Sequence, residues 1–90
     1  MQKEDRFELH KEQIEFLRSK YADVPLVQQV LALEDNLHFV IPVDLGIAFW
    51  DWLDTESVMT MTRDYEPTDD TYTIEGIIDY MHWQEQQTAN

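Results

Sequence analysis

The chain has 90 residues, no cysteine, and a formal net charge of −13 from 19 acidic and 6 basic side chains. The lack of cysteine excludes disulfides and thiolate metal sites, and two glycines are too few for a glycine-rich phosphate-binding loop. With 43% hydrophobic and 12% aromatic residues, the composition predicts a single folded acidic domain over residues 1–90.

The first twenty residues are charged throughout and contain no apolar run typical of a signal peptide. No stretch approaches the roughly 20 apolar residues that cross a bilayer. We therefore expect no membrane association and a cytoplasmic location, that of a bacterial host cell if a phage encodes the chain.

The charge is unevenly distributed along the sequence. Residues 1–20 hold five bases and five acids, whereas residues 21–90 hold fourteen acids and one base, Arg63. Such a field repels nucleic acid and anionic membranes and attracts basic surfaces. We therefore expect no direct binding of DNA or RNA, and a basic protein is the expected partner.

The N-terminal segment has helical spacing of apolar side chains. Residues at spacings of three and four predict a helix over 3–21: Phe7, His10, Ile14, Leu17 and Tyr21. Leu9 and Phe16 fall near the opposite face of that helix. We interpret this second stripe as a self-association surface, which would make the chain a homodimer.

Proline and turn residues divide the middle of the chain. Pro25 suits the first position of a second helix, over 25–34. After a turn at Asp35-Asn36, residues 37–41 predict a short strand that Pro42 ends. Residues 44–54 predict a short helix with Leu45, Ala48, Phe49, Trp52 and Leu53 on its buried face.

The last third of the chain alternates before it becomes helical again. Residues 58–65 alternate in a pattern typical of a strand, and 66–70 is rich in turn residues. Residues 71–75 then predict a second hairpin strand, followed by a helix to about Gln87. The order ααβαββα gives an α+β domain, with helices packed on a short antiparallel sheet. The alternative is an all-α domain in which 56–65 is also helical.

No pattern in the sequence points to catalysis. His10, His38 and His82 are scattered, and zinc-protease, calcium-loop, nucleophile-elbow and P-loop motifs are absent from the sequence. We expect no enzyme activity, no cofactor and no bound metal.

The acidic second half is instead the candidate binding surface. The spacing of acids on helices and strands is close to that of phosphates along a nucleic-acid strand, and tyrosine and tryptophan are enriched among residues that dominate interfaces. The predicted partner-binding residues are Asp44, Trp50, Asp51, Asp54, Glu56, Asp64, Tyr65, Glu66, Asp69, Asp70, Tyr72, Glu75 and Asp79. Trp83 and Tyr80 are expected on the non-core side of the last helix.

In size and charge the chain resembles phage and mobile-element inhibitors such as anti-CRISPR proteins and uracil-DNA glycosylase inhibitors, and equally the acidic immunity proteins that neutralise nuclease toxins. The resemblance lies in composition and transfers no functional residue. The one-sided charge of residues 44–79, with ten acids and one base, leads us to expect an inhibitor that mimics nucleic acid and blocks a DNA- or RNA-binding protein. Three alternatives stay open: an immunity protein or antitoxin for a basic nuclease, an assembly protein that forms a homo-oligomer, and an acidic surface that is only solvated.

Overall fold

The computed structural model describes residues 3–88. Within them the chain forms four helices and a three-stranded antiparallel sheet, which confirms the predicted α+β class and excludes the all-α alternative. The elements are β1 (Glu4–Glu8), α1 (Lys11–Lys20), α2 (Pro25–Leu31), β2 (Glu34–Asp35), β3 (His38–Pro42), α3 (Val43–Met59) and α4 (Asp69–Thr88). The predicted element order is wrong, because every strand precedes α3.

The chain divides into two compact units, Met1–Phe49 and Trp50–Asn90, called here the N-terminal unit and the C-terminal unit. The N-terminal unit holds the sheet, α1, α2 and the start of α3. The C-terminal unit holds the rest of α3, the loop at 60–68 and α4. No helix in residues 3–88 has both the length and the apolar character needed to cross a membrane.

The sheet of the N-terminal unit has the strand order β1-β3-β2, with β3 in the centre. Phe7 of β1 lies opposite Phe39 of β3, and their rings stack with centroids 4.9 Å apart. β2 and β3 form a hairpin whose turn residues, Asn36 and Leu37, both have positive φ, as a tight two-residue hairpin turn requires. The side chain of Glu34 supports this turn by accepting a hydrogen bond from the backbone N–H of Leu37, 2.8 Å away.

The first helix begins later than its apolar spacing predicts. Residues 4–8 form β1, so the predicted helix over 3–21 is wrong in its first turns. The helix starts after His10, whose backbone N–H donates to Oε1 of Gln13 at 2.9 Å. This bond satisfies one of the free amides at a helix start. From there α1 follows the prediction and buries Ile14 and Leu17.

The second helix begins at Pro25, as predicted, and ends at Leu31, before the expected residue 34. It ends early because Glu34 and Asp35 pair with β3 as a short strand. The strand predicted at 37–41 is confirmed as β3, which ends at Pro42.

The third helix is longer than the predicted 44–54 and extends to Met59. Phe49 and Leu53 are buried as predicted, whereas Ala48 is exposed. Gly46 lies against the side chain of Asp5 from β1, so closely that a Cβ atom at this position would overlap the carboxylate. Here the lack of a side chain lets the strand approach the helix.

The strands predicted at 58–65 and 71–75 are wrong. Residues 58 and 59 end α3, residues 60–68 form a loop, and α4 begins at Asp69. A threonine cluster explains this boundary: Thr68 Oγ1 accepts the N–H of Thr71 at 3.3 Å, and Thr71 Oγ1 accepts the N–H of Thr68 at 3.0 Å. These reciprocal bonds have the geometry of a capping box and start a helix. Thr60 Oγ1 completes the cluster at 2.8 Å from Thr71 Oγ1.

Candidate partner-binding surface

The two units differ sharply in charge. The N-terminal unit has nine acids and five bases, while the C-terminal unit has ten acids and one base, Arg63, for a net charge of −9. The sequence placed the charge imbalance in residues 21–90, and the structure assigns most of it to one compact unit. The candidate surface is therefore described within the C-terminal unit.

The part of α3 in this unit exposes Asp51 and Asp54. Three residues apart on a helix, their Cβ atoms are about 5–6 Å from each other. Trp50 and Glu56 are only half-buried, at the edge of the core-facing side. Asp44 is exposed in the first turn of α3 and belongs to the N-terminal unit, so it is described apart from this surface.

The loop at 60–68 presents Asp64, Tyr65 and Glu66, all exposed. Tyr65 is 75% exposed and has a φ of 62°, a left-handed conformation that is uncommon for a residue with a large side chain. Hydrogen bonds to Thr62 hold the loop closed: the Tyr65 N–H donates to the Thr62 carbonyl at 2.9 Å, and the Glu66 N–H donates to Thr62 Oγ1 at 3.1 Å. The ring of Tyr65 is thus displayed on an ordered turn.

Helix α4 carries aromatic rings among its acids. Tyr72, Asp79 and Trp83 are exposed and share the side of the helix opposite buried Ile74 and Met81. Tyr72 is 63% exposed and Trp83 is 55% exposed. The ring of Tyr80 stacks on that of Trp83, with centroids 6.2 Å apart and ring planes 18° from parallel. This arrangement confirms that Trp83 lies outside the core.

The remaining predicted acids of α4 flank this face. Asp69 and Asp70 lie in the first turn of the helix, not in a surface turn as predicted, and Glu75 is half-buried one turn further on. A helix start favours negative charge because its free amide groups carry partial positive charge. Asp69 and Asp70 thus have a structural role beside any part in binding.

Most acids of this surface form no ion pair within residues 3–88. In residues 3–88, the ion pairs Arg6–Glu4 and Arg18–Glu34 and the contact of the His38 ring with Glu8 all belong to the N-terminal unit. In the same described part of the chain, seven acids of the C-terminal unit have no ion-pair partner: Asp51, Asp54, Asp64, Glu66, Asp69, Glu75 and Asp79. They are available to cations from outside.

In the described residues, potential metal ligands do not cluster, and one open groove is small. Across 3–88, no three potential metal ligands come together, and every buried side-chain nitrogen or oxygen has a hydrogen-bond partner. An open groove of about 140 Å³ lies beside Lys3, Pro42, Val43 and Asp44 in the N-terminal unit, well below the roughly 300–1,000 Å³ of typical ligand pockets. Charge and exposed rings are the chemistry that the C-terminal unit offers.

The residues predicted for self-association do not form an exposed stripe. Leu9 is 2% exposed and precedes α1, so it shares no helix face with Phe16. Phe16 is half-buried, and its ring packs edge-on against Tyr21 with centroids 5.8 Å apart. Burial within the chain leaves Leu9 without surface for a second copy.

Trp83 and Met59 are exposed residues that the predicted site omitted. Met59 is 71% exposed at the end of α3, but the sequence placed it in a strand. Trp83 lies eleven residues after Tyr72, a separation of three helical turns, which places both on one face. That signal was hidden because Tyr72 was assigned to a strand.

Comparison with protein-family models, curated proteins and solved structures finds no match for this chain. Its class is therefore defined by fold and surface: a small α+β protein with an acidic C-terminal unit that displays aromatic rings.

Proposed function

We propose that the chain is an inhibitor that mimics nucleic acid and blocks the binding channel of a basic DNA- or RNA-binding protein. One observation carries the proposal: the C-terminal unit has ten acids and one base, and seven of the acids have no ion-pair partner among residues 3–88. Its biological setting would be an anti-defence inhibitor from a phage or mobile element, acting in the bacterial cytoplasm without catalysis or cofactor.

Such a surface lowers the stability of the folded protein. Like charges held together on a compact unit destabilise it by self-repulsion. Basic side chains placed among them would relieve that repulsion, as they do in the N-terminal unit. Seven carboxylates without an ion-pair partner in residues 3–88 are explained if a partner protein supplies the cations, since phosphate-binding lysines and arginines also bind carboxylates.

The geometry is compatible with a phosphate-binding groove. Neighbouring acids on α3 are about 5–6 Å apart, close to the distance between successive phosphates of one strand, which is roughly twice the 3.4 Å axial step. A rigid helix thus presents carboxylates at a spacing that a nucleic-acid-binding groove is built to receive.

The test compares two variants that lose the same number of charges. The first changes Asp51, Asp54, Asp64 and Asp79 to Asn in the C-terminal unit. The control changes Glu12, Glu15, Asp23 and Asp35 of the N-terminal unit to their amides. Each protein is immobilised and exposed to a bacterial lysate, and the retained proteins are identified by mass spectrometry before and after elution with DNA.

The proposal predicts that the unaltered chain and the control retain the same nucleic-acid-binding protein, which DNA releases, and that the C-terminal variant loses it. Retention should also fall steeply with salt, because exposed charge pairs are screened. Equal retention by both variants, or no protein that DNA displaces, contradicts mimicry.

A further inference from the structure

The exposed face of α4 combines rings and carboxylates in one row. Tyr72, Glu75, Asp79 and Trp83 follow one another along the helix, and Tyr72 and Trp83 are both more than half exposed. At 1.5 Å per residue, the two rings are about 16 Å apart along the axis. Covering both rings would remove apolar surface from water, which favours association with another molecule.

Charge identifies the kind of molecule that covers this face. Helix α4 has no lysine or arginine along its length. Pairing the face with that of a second copy would place Glu75 and Asp79 against like charges with no cation between them, which disfavours a homodimer. The complementary surface must provide cations beside groups that stack on rings.

These requirements match a groove for single-stranded nucleic acid. Such grooves combine basic side chains along the backbone path with aromatic side chains on which unpaired bases stack. A duplex hides the faces of its bases, so a mimic of duplex DNA needs carboxylates but no exposed rings. The near-parallel rings of Tyr80 and Trp83 resemble neighbouring bases beside the charges of a backbone.

We propose, on the basis of the mimicry above, that this face of α4 occupies a groove that binds single-stranded DNA or RNA. In the complex, basic side chains of the partner contact Glu75 and Asp79, and its aromatic side chains stack on Tyr72 and Trp83. The rings thus select a single-strand-binding partner from among basic proteins.

The experiment uses the immobilised chain and the proteins that it retains from a bacterial lysate. They are released with a single-stranded oligothymidylate or with a duplex of the same length. In parallel, free variants compete with the immobilised chain, and the concentration that gives half release is measured. The test variant is Tyr72→Ser with Trp83→Ser; the control is Leu33→Ser with Ile47→Ser, which removes two exposed apolar side chains from the N-terminal unit.

The proposal predicts release by the single strand at a lower concentration than by the duplex. It also predicts that the test variant needs roughly tenfold more protein for half release for each ring removed, while the control competes like the unaltered chain. Circular dichroism of both variants verifies that they fold.

Four outcomes overturn the proposal. The duplex and the single strand could release the retained protein at equal concentrations, while the C-terminal Asp-to-Asn variant still fails to retain it. In that case mimicry stands, but the proposal of a single-strand-binding groove is wrong. If the test variant competes like the unaltered chain, the rings are not contacts. If light scattering shows a dimer that the test variant abolishes, the face binds a second copy. If the chain retains no protein that nucleic acid displaces, both mimicry and the single-strand groove are wrong.

Discussion

At the scale of single residues, two positions have backbone or packing geometry that their side chains do not explain by themselves. A Cβ atom at Gly46 would meet the carboxylate of Asp5, which would have to move. Tyr65 holds a left-handed backbone conformation while its ring stays 75% exposed. The contact at Gly46 is a packing constraint of the N-terminal unit. The backbone conformation of Tyr65 is unfavourable, and burial of its side chain does not compensate for it.

The contact at Gly46 predicts coupling between two residues. Glycine inside a helix is about 1 kcal/mol less favourable than alanine, so Gly46→Ala would stabilise α3 if Asp5 were absent. With Asp5 present, the new methyl group displaces the carboxylate, and we expect the variant to lose about 1 kcal/mol instead.

Urea unfolding of Gly46→Ala, Asp5→Ala and the double variant measures this coupling. The double variant should recover the stability that Gly46→Ala loses, and Gly76→Ala in α4 provides the reference for a helical glycine. Additive effects of the two changes would show that the close approach is relieved without cost.

The left-handed conformation of Tyr65 predicts that replacing this residue weakens partner binding without lowering stability. A non-glycine residue in this region costs roughly 1–2 kcal/mol, which offsets the 0.5–1 kcal/mol entropic cost of glycine. Tyr65→Gly should therefore leave the free energy of unfolding unchanged or raise it by up to about 1 kcal/mol. Its competition for the retained partner should weaken, since the exposed ring is lost.

A helical tyrosine is the matched comparison. Tyr72→Gly removes another exposed ring, but it should destabilise by about 1 kcal/mol, because it lies inside α4. Should Tyr65→Gly destabilise as much as Tyr72→Gly, the ring at 65 supports the fold, and its display for a partner is not the reason for the strained backbone.

At the scale of elements, the sequence pattern correctly predicted those boundaries and buried faces that are determined by residues close together in the chain. The start of α2 at Pro25 and the end of β3 at Pro42 follow from the fixed φ angle and missing N–H of proline alone. The hydrophobic face of α1 from Ile14 to Leu17 follows from helical spacing. These elements could be read from short windows of sequence.

The secondary structure was predicted wrongly where a residue far away in the sequence determines the conformation. Phe7 fits a helix with Ile14, but it becomes part of a strand because Phe39, far along the chain, offers a stacked partner. Thr60 fits a strand until Thr71, eleven residues later, bonds to its hydroxyl. The acidic character of the site was readable from composition, but the ring pair Tyr72 and Trp83 required the helix to be known.

The threonine cluster makes a prediction at this scale. Thr71 is fully buried, and its hydroxyl bonds to both Thr60 and the backbone N–H of Thr68. Thr71→Val keeps the shape but leaves the Thr68 N–H without its partner, while the Thr60 hydroxyl keeps its bond to the Ser57 carbonyl. The variant should therefore destabilise by about 2 kcal/mol. Thr73→Val, whose hydroxyl makes an exposed bond to the Asp69 carbonyl, should change stability by less than about 0.5 kcal/mol.

Urea unfolding followed by circular dichroism measures both variants. Similar losses for Thr71→Val and Thr73→Val would mean that the buried hydroxyl has no special part in starting α4. A loss at Thr71 alone would show that the cluster sets the boundary which the sequence pattern misplaced.

At the scale of the whole molecule, charge is the dominant property. The C-terminal unit carries −9 of the net −13, and no relief from internal ion pairs is found for seven of its acids in residues 3–88. Screening reduces repulsion between exposed charges, since the Debye length falls from about 10 Å at 0.1 M salt to about 3 Å at 1 M. The folded state should therefore become more stable as sodium chloride is added.

We expect this stabilisation to be about 1 kcal/mol, which corresponds to roughly 4–8 °C in Tm for a chain of this size. Changing Asp51, Asp54, Asp64 and Asp79 to Asn should raise Tm at low salt and reduce its further rise with salt. Neutralising Glu12, Glu15, Asp23 and Asp35 should have a smaller effect, because five bases already lie in their unit. If Tm were insensitive to salt, or both variants behaved alike, repulsion in the C-terminal unit would be too weak to need a cationic partner, and the principal argument for mimicry would fail.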